Sequence, residues 1–237
     1  MSRLCLIFLS IIVFCGAAAA QQRPLLTDDI DITPPGAIEI SAGVDFFQNA
    51  KFPLSGITGD LTRVGDIRLK TGFARNVEFQ VEGSLQNFVA INSRGPTPIS
   101  LNVTGDSTTD TDDFTVSAKI KLFNESKRLP GLGFKAGFQL PNTNQARGIG
   151  NNNINVFGKF IVQKSFGSVV NRTPRFKAYG NFGIQIMTAP VELFTQNDVW
   201  LYGLAGIYRV TSQVNIASEV NGRISTARGG AALGTES

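Results

Sequence analysis

The chain has 237 residues, a net charge of +4 and no histidine, and its two cysteines, Cys5 and Cys15, both lie in the extreme amino-terminal segment. Without histidine there is no Ser–His or Cys–His nucleophile pair, no imidazole base and no imidazole metal ligand, and beyond Cys15 there is no disulfide, zinc–thiolate site or cysteine nucleophile. The mild charge, with no arginine-rich tract, argues against nucleic acid as a partner, so we expect neither an enzyme nor a resident cofactor or metal.

The first twenty residues read as a secretory signal peptide. Arg3 gives a basic start, "LCLIFLSIIVF" is a short apolar run, and Ala17 to Ala20 supply the small residues of a cleavage site before Gln21. The run is too short for a spanning helix, and bulky Phe14 disfavours Cys15 as a lipoprotein acceptor. Residues 21–36, "QQRPLLTDDIDITPPG", read as a polar periplasmic linker that a Pro-Pro-Gly stop separates from the domain over 37–237.

From residue 37 the dominant signal is alternation of period two, which predicts strands. In "AIEISAGVDFF", Ile38, Ile40, Ala42, Val44 and Phe46 oppose Glu39, Ser41, Gly43 and Asp45. "VGDIRLKTGF" sets Ile67, Leu69 and Phe73 against Asp66, Arg68 and Lys70, and "VEFQVEGSL" sets Val77, Phe79, Val81 and Leu85 against Glu78, Gln80, Glu82 and Ser84. The same pattern puts Lys119 and Lys121, Lys135, Lys159, and Lys177 on the polar faces of the next four segments. "VWLYGLAGIY" is apolar on both faces, and "VNIASEVNGRI" places Glu219, Asn221 and Arg223 opposite Val220 and Ile224.

One wet and one dry face fits a soluble sandwich as well as a membrane barrel. The connections separate the two. Short ones ("ARN", "NESKRLPG", "FGSVVNRTP", "VTS") alternate with long polar ones ("NAKFPLSGITGD", "NSRGPTPISLNVTGDSTTDTD", "PNTNQARGIGNN", "TAPVELFTQND"). Short turns at one end and long loops at the other are the plan of outer-membrane barrels, whose strands need about ten residues.

"LLTDDIDITPPGAIEISAGVDF", "VGDIRLKTGF" and "GFKAGFQLPNTNQARGIGNNNINVFGKF" resemble segments of the outer-membrane family named for the meta-pathway of phenol degradation. The resemblance spreads over most of the mature chain. It implies an outer-membrane β-barrel transporter, often linked to aromatic or other apolar compounds, and supplies no catalytic residues. Members of that family are longer and close with an aromatic-ended strand. Here about nine strands are counted, an odd number where bacterial barrels use an even one. Either a closing strand hides in "RGGAALGTES" or the chain is truncated, and the cost of an open edge in lipid favours truncation.

Several residues have competing readings. Arg68 and Lys70 beside Glu78 and Glu82 form either a charged constriction or, in the reading we favour, ion pairs that stiffen a barrel wall. The lysines from Lys119 to Lys177 form either a basic lumen stripe or rim residues that snorkel, with Glu39, Asp45 and Glu219 able to cancel the field. Glu78 and Glu82 lie about 13 Å apart along a strand, too far for a hydrolytic pair. Trp200, Tyr202 and Tyr208 share a face and suit an interfacial girdle. Asp110, Asp112 and Asp113 lack the spacing of a calcium loop.

The sequence therefore predicts an all-β, up-and-down antiparallel transmembrane barrel in the outer membrane of a Gram-negative-type bacterium. It would pass small solutes by diffusion, with outer-membrane lipid around it. The expected lumen lining is Asp66, Arg68, Lys70, Glu78, Glu82, Lys119, Lys121, Lys135, Lys159, Lys177, Glu219 and Arg223. The alternative is a secreted or periplasmic β-sandwich with a binding or structural role and no channel.

Overall fold

The computed structural model describes residues 25–170, 173–189 and 197–226. The expected signal peptide, the first residues of the linker, most of "TAPVELFTQND" and the tail "RGGAALGTES" lie outside these. Ten strands follow in chain order: β1 (Ile38–Phe52), β2 (Ile57–Ala74), β3 (Val77–Arg94), β4 (Ser107–Asp110), β5 (Thr115–Phe123), β6 (Gly131–Gln139), β7 (Asn155–Val170), β8 (Thr173–Met187), β9 (Asn197–Arg209) and β10 (Asn215–Ser225). Gln145–Arg147 forms one 3-10 turn. The strands make a single curled sheet, all antiparallel, in the order β1-β2-β3-β5-β6-β7-β8-β9-β10, with β4 paired only to β3.

Up-and-down order follows from the connections. Only Arg75 and Asn76 separate β2 from β3, and antiparallel neighbours can be joined by so short a turn. Two expectations are corrected. "NAKFPLSGITGD" is not a long loop: β1 and β2 extend into it and leave Pro53–Gly56 as the connection. The long connection after β3 is not structureless either, because Ser107–Asp110 adds β4 beside Asn87 to Ala90. Nine strands on the main path leave β1 and β10 running in the same direction at the two edges. Among the described residues these two edges do not pair.

The two faces are inverted relative to a water-soluble domain. Ile40, Phe46, Phe73, Phe182, Leu204 and Ile216 are between 56% and 76% exposed on the convex face. On the concave face Glu78, Gln80, Ser84, Lys119 and Lys135 are buried. Small apolar clusters also occur inside the curve. Leu54 packs with Met187 and Val199, and Leu25 packs with Tyr179 and Ala205. Both use the inner face of β9, which explains why that strand is apolar on both sides.

Candidate functional site

Residues 25–35 do not stand off from the sheet as a linker. They form a strap that crosses the concave face from β2 to β10. At one end Pro35 bridges Gly72, and the Gly36 amide donates to the Gly72 carbonyl at 2.9 Å. The strap has no secondary structure of its own, so its amides need other acceptors. Wall side chains supply them. The Thr33 amide donates to Glu78 at 2.6 Å, the Ile30 amide to Gln163 at 3.5 Å and the Asp28 amide to Asn181 at 2.7 Å. The Leu26 amide donates to Glu219 at 2.9 Å, and the Thr27 amide and hydroxyl donate to the same carboxylate. Asn181 returns a bond from its amide nitrogen to the Asp28 carbonyl at 3.0 Å.

Ion pairs complete the attachment. Lys119 lies 2.9 Å from Glu78 and 3.3 Å from Asp29, and it also donates to the Asp31 carbonyl. Asp28 lies 2.6 Å from Lys159 and 3.6 Å from Lys135. Lys135 reaches Glu82 at 3.4 Å, and Arg68 reaches Glu82 at 2.9 Å. Arg68, Lys119, Lys135 and Lys159 thus meet Glu78, Glu82, Asp28 and Asp29, and the network is neutral. Burial pushes the Asp28 carboxyl up, but Lys135 and Lys159 outweigh it and hold the group well below the usual carboxylate range.

The wall is shaped for the strap. A side chain on Gly72 would overlap the carbonyl oxygens of Thr33 and Pro34, and one on Gly131 would overlap Ile30. Leu25 and Ile30 are buried, and Ile30 sits near the inward-facing Ile161 and Gly133.

The lumen residues expected from alternation lie mainly on the concave face, with differing roles. Arg68 pairs with Glu82, but Lys70 turns to Glu39 at 2.9 Å rather than to Glu78. Asp66 accepts from Ser84 at 3.3 Å. Glu78, Lys119, Lys135, Lys159 and Glu219 hold the strap, and Glu82 pairs with Lys135. Arg223 lines a cavity. Lys121 and Lys177 lie near the short-turn end, half-buried, and form no ion pair among the described residues. Of the aspartates after β3, Asp113 accepts from the Asn142 and Thr143 amides at 2.9 Å each, and Asp110 accepts from the Asn144 amide at 2.7 Å. They fasten the connection between β6 and β7. Trp200 and Tyr208 sit on the convex face toward opposite ends of β9.

Toward the long-connection end the strap borders a cavity of about 1060 Å³. Leu26 and Thr27 form its inner boundary, Leu54, Ile99, Met187 and Leu201 give it an aliphatic wall, and Arg63 and Arg223 bring cationic groups to it. The sequence reading missed the strap, the cavity and Arg63. Gly65 has φ +66°, and the β1–β2 register shifts there, from Gly43 opposite Asp66 to Val44 opposite Val64. This bulge returns Arg63 to the inner face, whereas strict alternation from Asp66 would turn it out.

Scans of the chain against protein-family models, curated proteins and solved structures gave no match.

Proposed function

We propose that this protein is an outer-membrane β-barrel wall that passes small molecules by diffusion, with the strap narrowing its lumen. The observation that carries this reading is the inversion of the two faces. Exposed apolar side chains cover the convex face of every long strand, while buried ion pairs and amides fill the concave face. Hydrocarbon around the sheet accounts for the first and a hydrated, strap-filled lumen for the second. A β-sandwich would set the apolar face against a second layer, and all the described strands belong to one sheet. The chain has no histidine to act as a base, so passive transfer fits better than acid–base or nucleophilic chemistry. Which solutes pass, apolar compounds included, is left to the test. Protein purified from native outer membranes, with its mass confirmed, is reconstituted in liposomes and offered sugars, small anions and a phenol against empty liposomes. Flux graded by solute size or charge is expected. Free solubility of the protein without detergent, or no flux from the folded protein, would overturn the reading.

A further inference from the structure

Arg63 is a cation of the cavity whose hydrogen bonding is incomplete among the described residues. Its guanidinium stacks over the Phe47 ring with 5.1 Å to the centroid, and its Nε is buried without a hydrogen-bond partner. Asp45, its register partner on β1, forms no ion pair with it. Asp112, on the connection between β4 and β5, faces it electrostatically. Burial pushes the Asp112 carboxyl up, against the pull of Arg63. Asp113 is occupied by the Asn142 and Thr143 amides and the Thr143 hydroxyl, and Lys159 is occupied by Asp28. A buried guanidinium donor without an acceptor is costly, and a planar carboxylate is the group its fork matches. The same cavity also has an aliphatic wall, formed by Leu54, Ile99, Met187 and Leu201. The volume lies slightly above the range, about 300–1,000 Å³, typical of small-molecule pockets.

We infer that the cavity is a binding site for an amphipathic monocarboxylate, with the carboxylate on Arg63 and an aliphatic body against Leu54, Ile99, Met187 and Leu201. This deepens the conduction reading, and rests on it for the cavity's place on the solute path. The binding itself can be measured without conduction.

The test uses the full chain in a non-ionic detergent and compares decanoate with decanol by equilibrium dialysis. The wild type should bind decanoate more tightly. In Arg63→Gln the decanoate-to-decanol affinity ratio should fall roughly tenfold or more, as expected for loss of a charge-assisted contact, while decanol binding persists and reports that the cavity is intact. Arg63→Lys should recover part of the ratio. If Arg63→Gln does not fold, the wild-type ratio decides alone. Equal affinity for the two probes, or a ratio untouched by Arg63→Gln, would overturn the site while leaving neutral-solute flux unaffected. Decanoate binding without flux of any solute would uphold the site and overturn conduction.

Discussion

Lys119 is a buried ion held between two carboxylates. Its side chain is 3% exposed and its ammonium meets both Glu78 and Asp29. Glu78 is 1% exposed and also accepts from the Thr33 amide and the Gln80 side chain. Removing one member of such a group leaves an uncompensated buried charge, which costs about 3–5 kcal/mol. Lys119→Met should therefore lower the unfolding free energy obtained from denaturant titration by that order. The double change Lys119→Met with Glu78→Gln should recover part of the loss, and an equal loss in both would argue that Lys119 matters through its shape alone. Asp28 carries a pH dependence of definite sign. Its folded pKa lies below the ordinary value of 3.8. A carboxyl depressed on folding adds stability that is complete above its unfolded pKa and is lost as pH falls through the folded one. Strap docking should hold from neutrality down to about pH 5 and weaken below about pH 4, the unfolded carboxylate range. Amide exchange at Thr27 and Asp28 across that range checks it. Asp28→Asn should flatten the response, and a strap equally protected in wild type and variant at low pH would remove the role of this carboxyl.

The strap is an element without secondary structure, held because wall strands present acceptors at the right heights. It was illegible in the sequence for that reason. "LLTDDIDITPPG" has no period, and its polar letters and closing prolines read as a linker. Its two buried apolar residues, Leu25 and Ile30, are separated by acids that become partners only once the sheet has curled. The strands were legible because each must keep one face dry, and period two survives any detail of pairing. Arg63 was lost to the bulge at Gly65, although a glycine inside a strand pattern is itself a bulge signal. The double-sided apolar pattern of "VWLYGLAGIY" carried a further clue. An inner face with Val199, Leu201, Ala205 and Ile207 needs a cover, which Leu54 and Leu25 provide. Close approach of strap and wall makes a direct prediction. Gly72→Ala would drive a methyl group into the Thr33 and Pro34 carbonyls, and overpacking of this kind costs about 1–3 kcal/mol. Exchange of the Thr27, Asp28 and Ile30 amides should accelerate while the amides of β7 and β8 stay protected. If the strap amides are unchanged, the strap does not need the glycine there.

At the scale of the whole molecule, one sheet must satisfy two opposite demands. Its concave face gathers ions that would be unstable without one another, and its convex face exposes side chains that would aggregate in water unless something apolar covers them. If that cover is a bilayer, as proposed, the outward aromatic pair should lie at its interfaces. Trp200, the chain's one tryptophan, is 43% exposed. It stacks on Phe182 with 5.2 Å between ring centroids, facing outward at the long-connection end of β9. Tyr208, also outward, lies at the far end and binds the Arg175 side chain at 2.9 Å. Amphipathic rings at two levels of one strand fit the two interfaces of a bilayer. Indole fluorescence should therefore be quenched by lipids brominated high on the acyl chain, more than by lipids brominated near its end. A soluble quencher added outside should reach it poorly. Equal quenching by both brominated lipids would place Trp200 away from an interface. No quenching by either lipid, together with full access to the aqueous quencher, would put the convex face in water and return the exposed apolar surface to a protein partner.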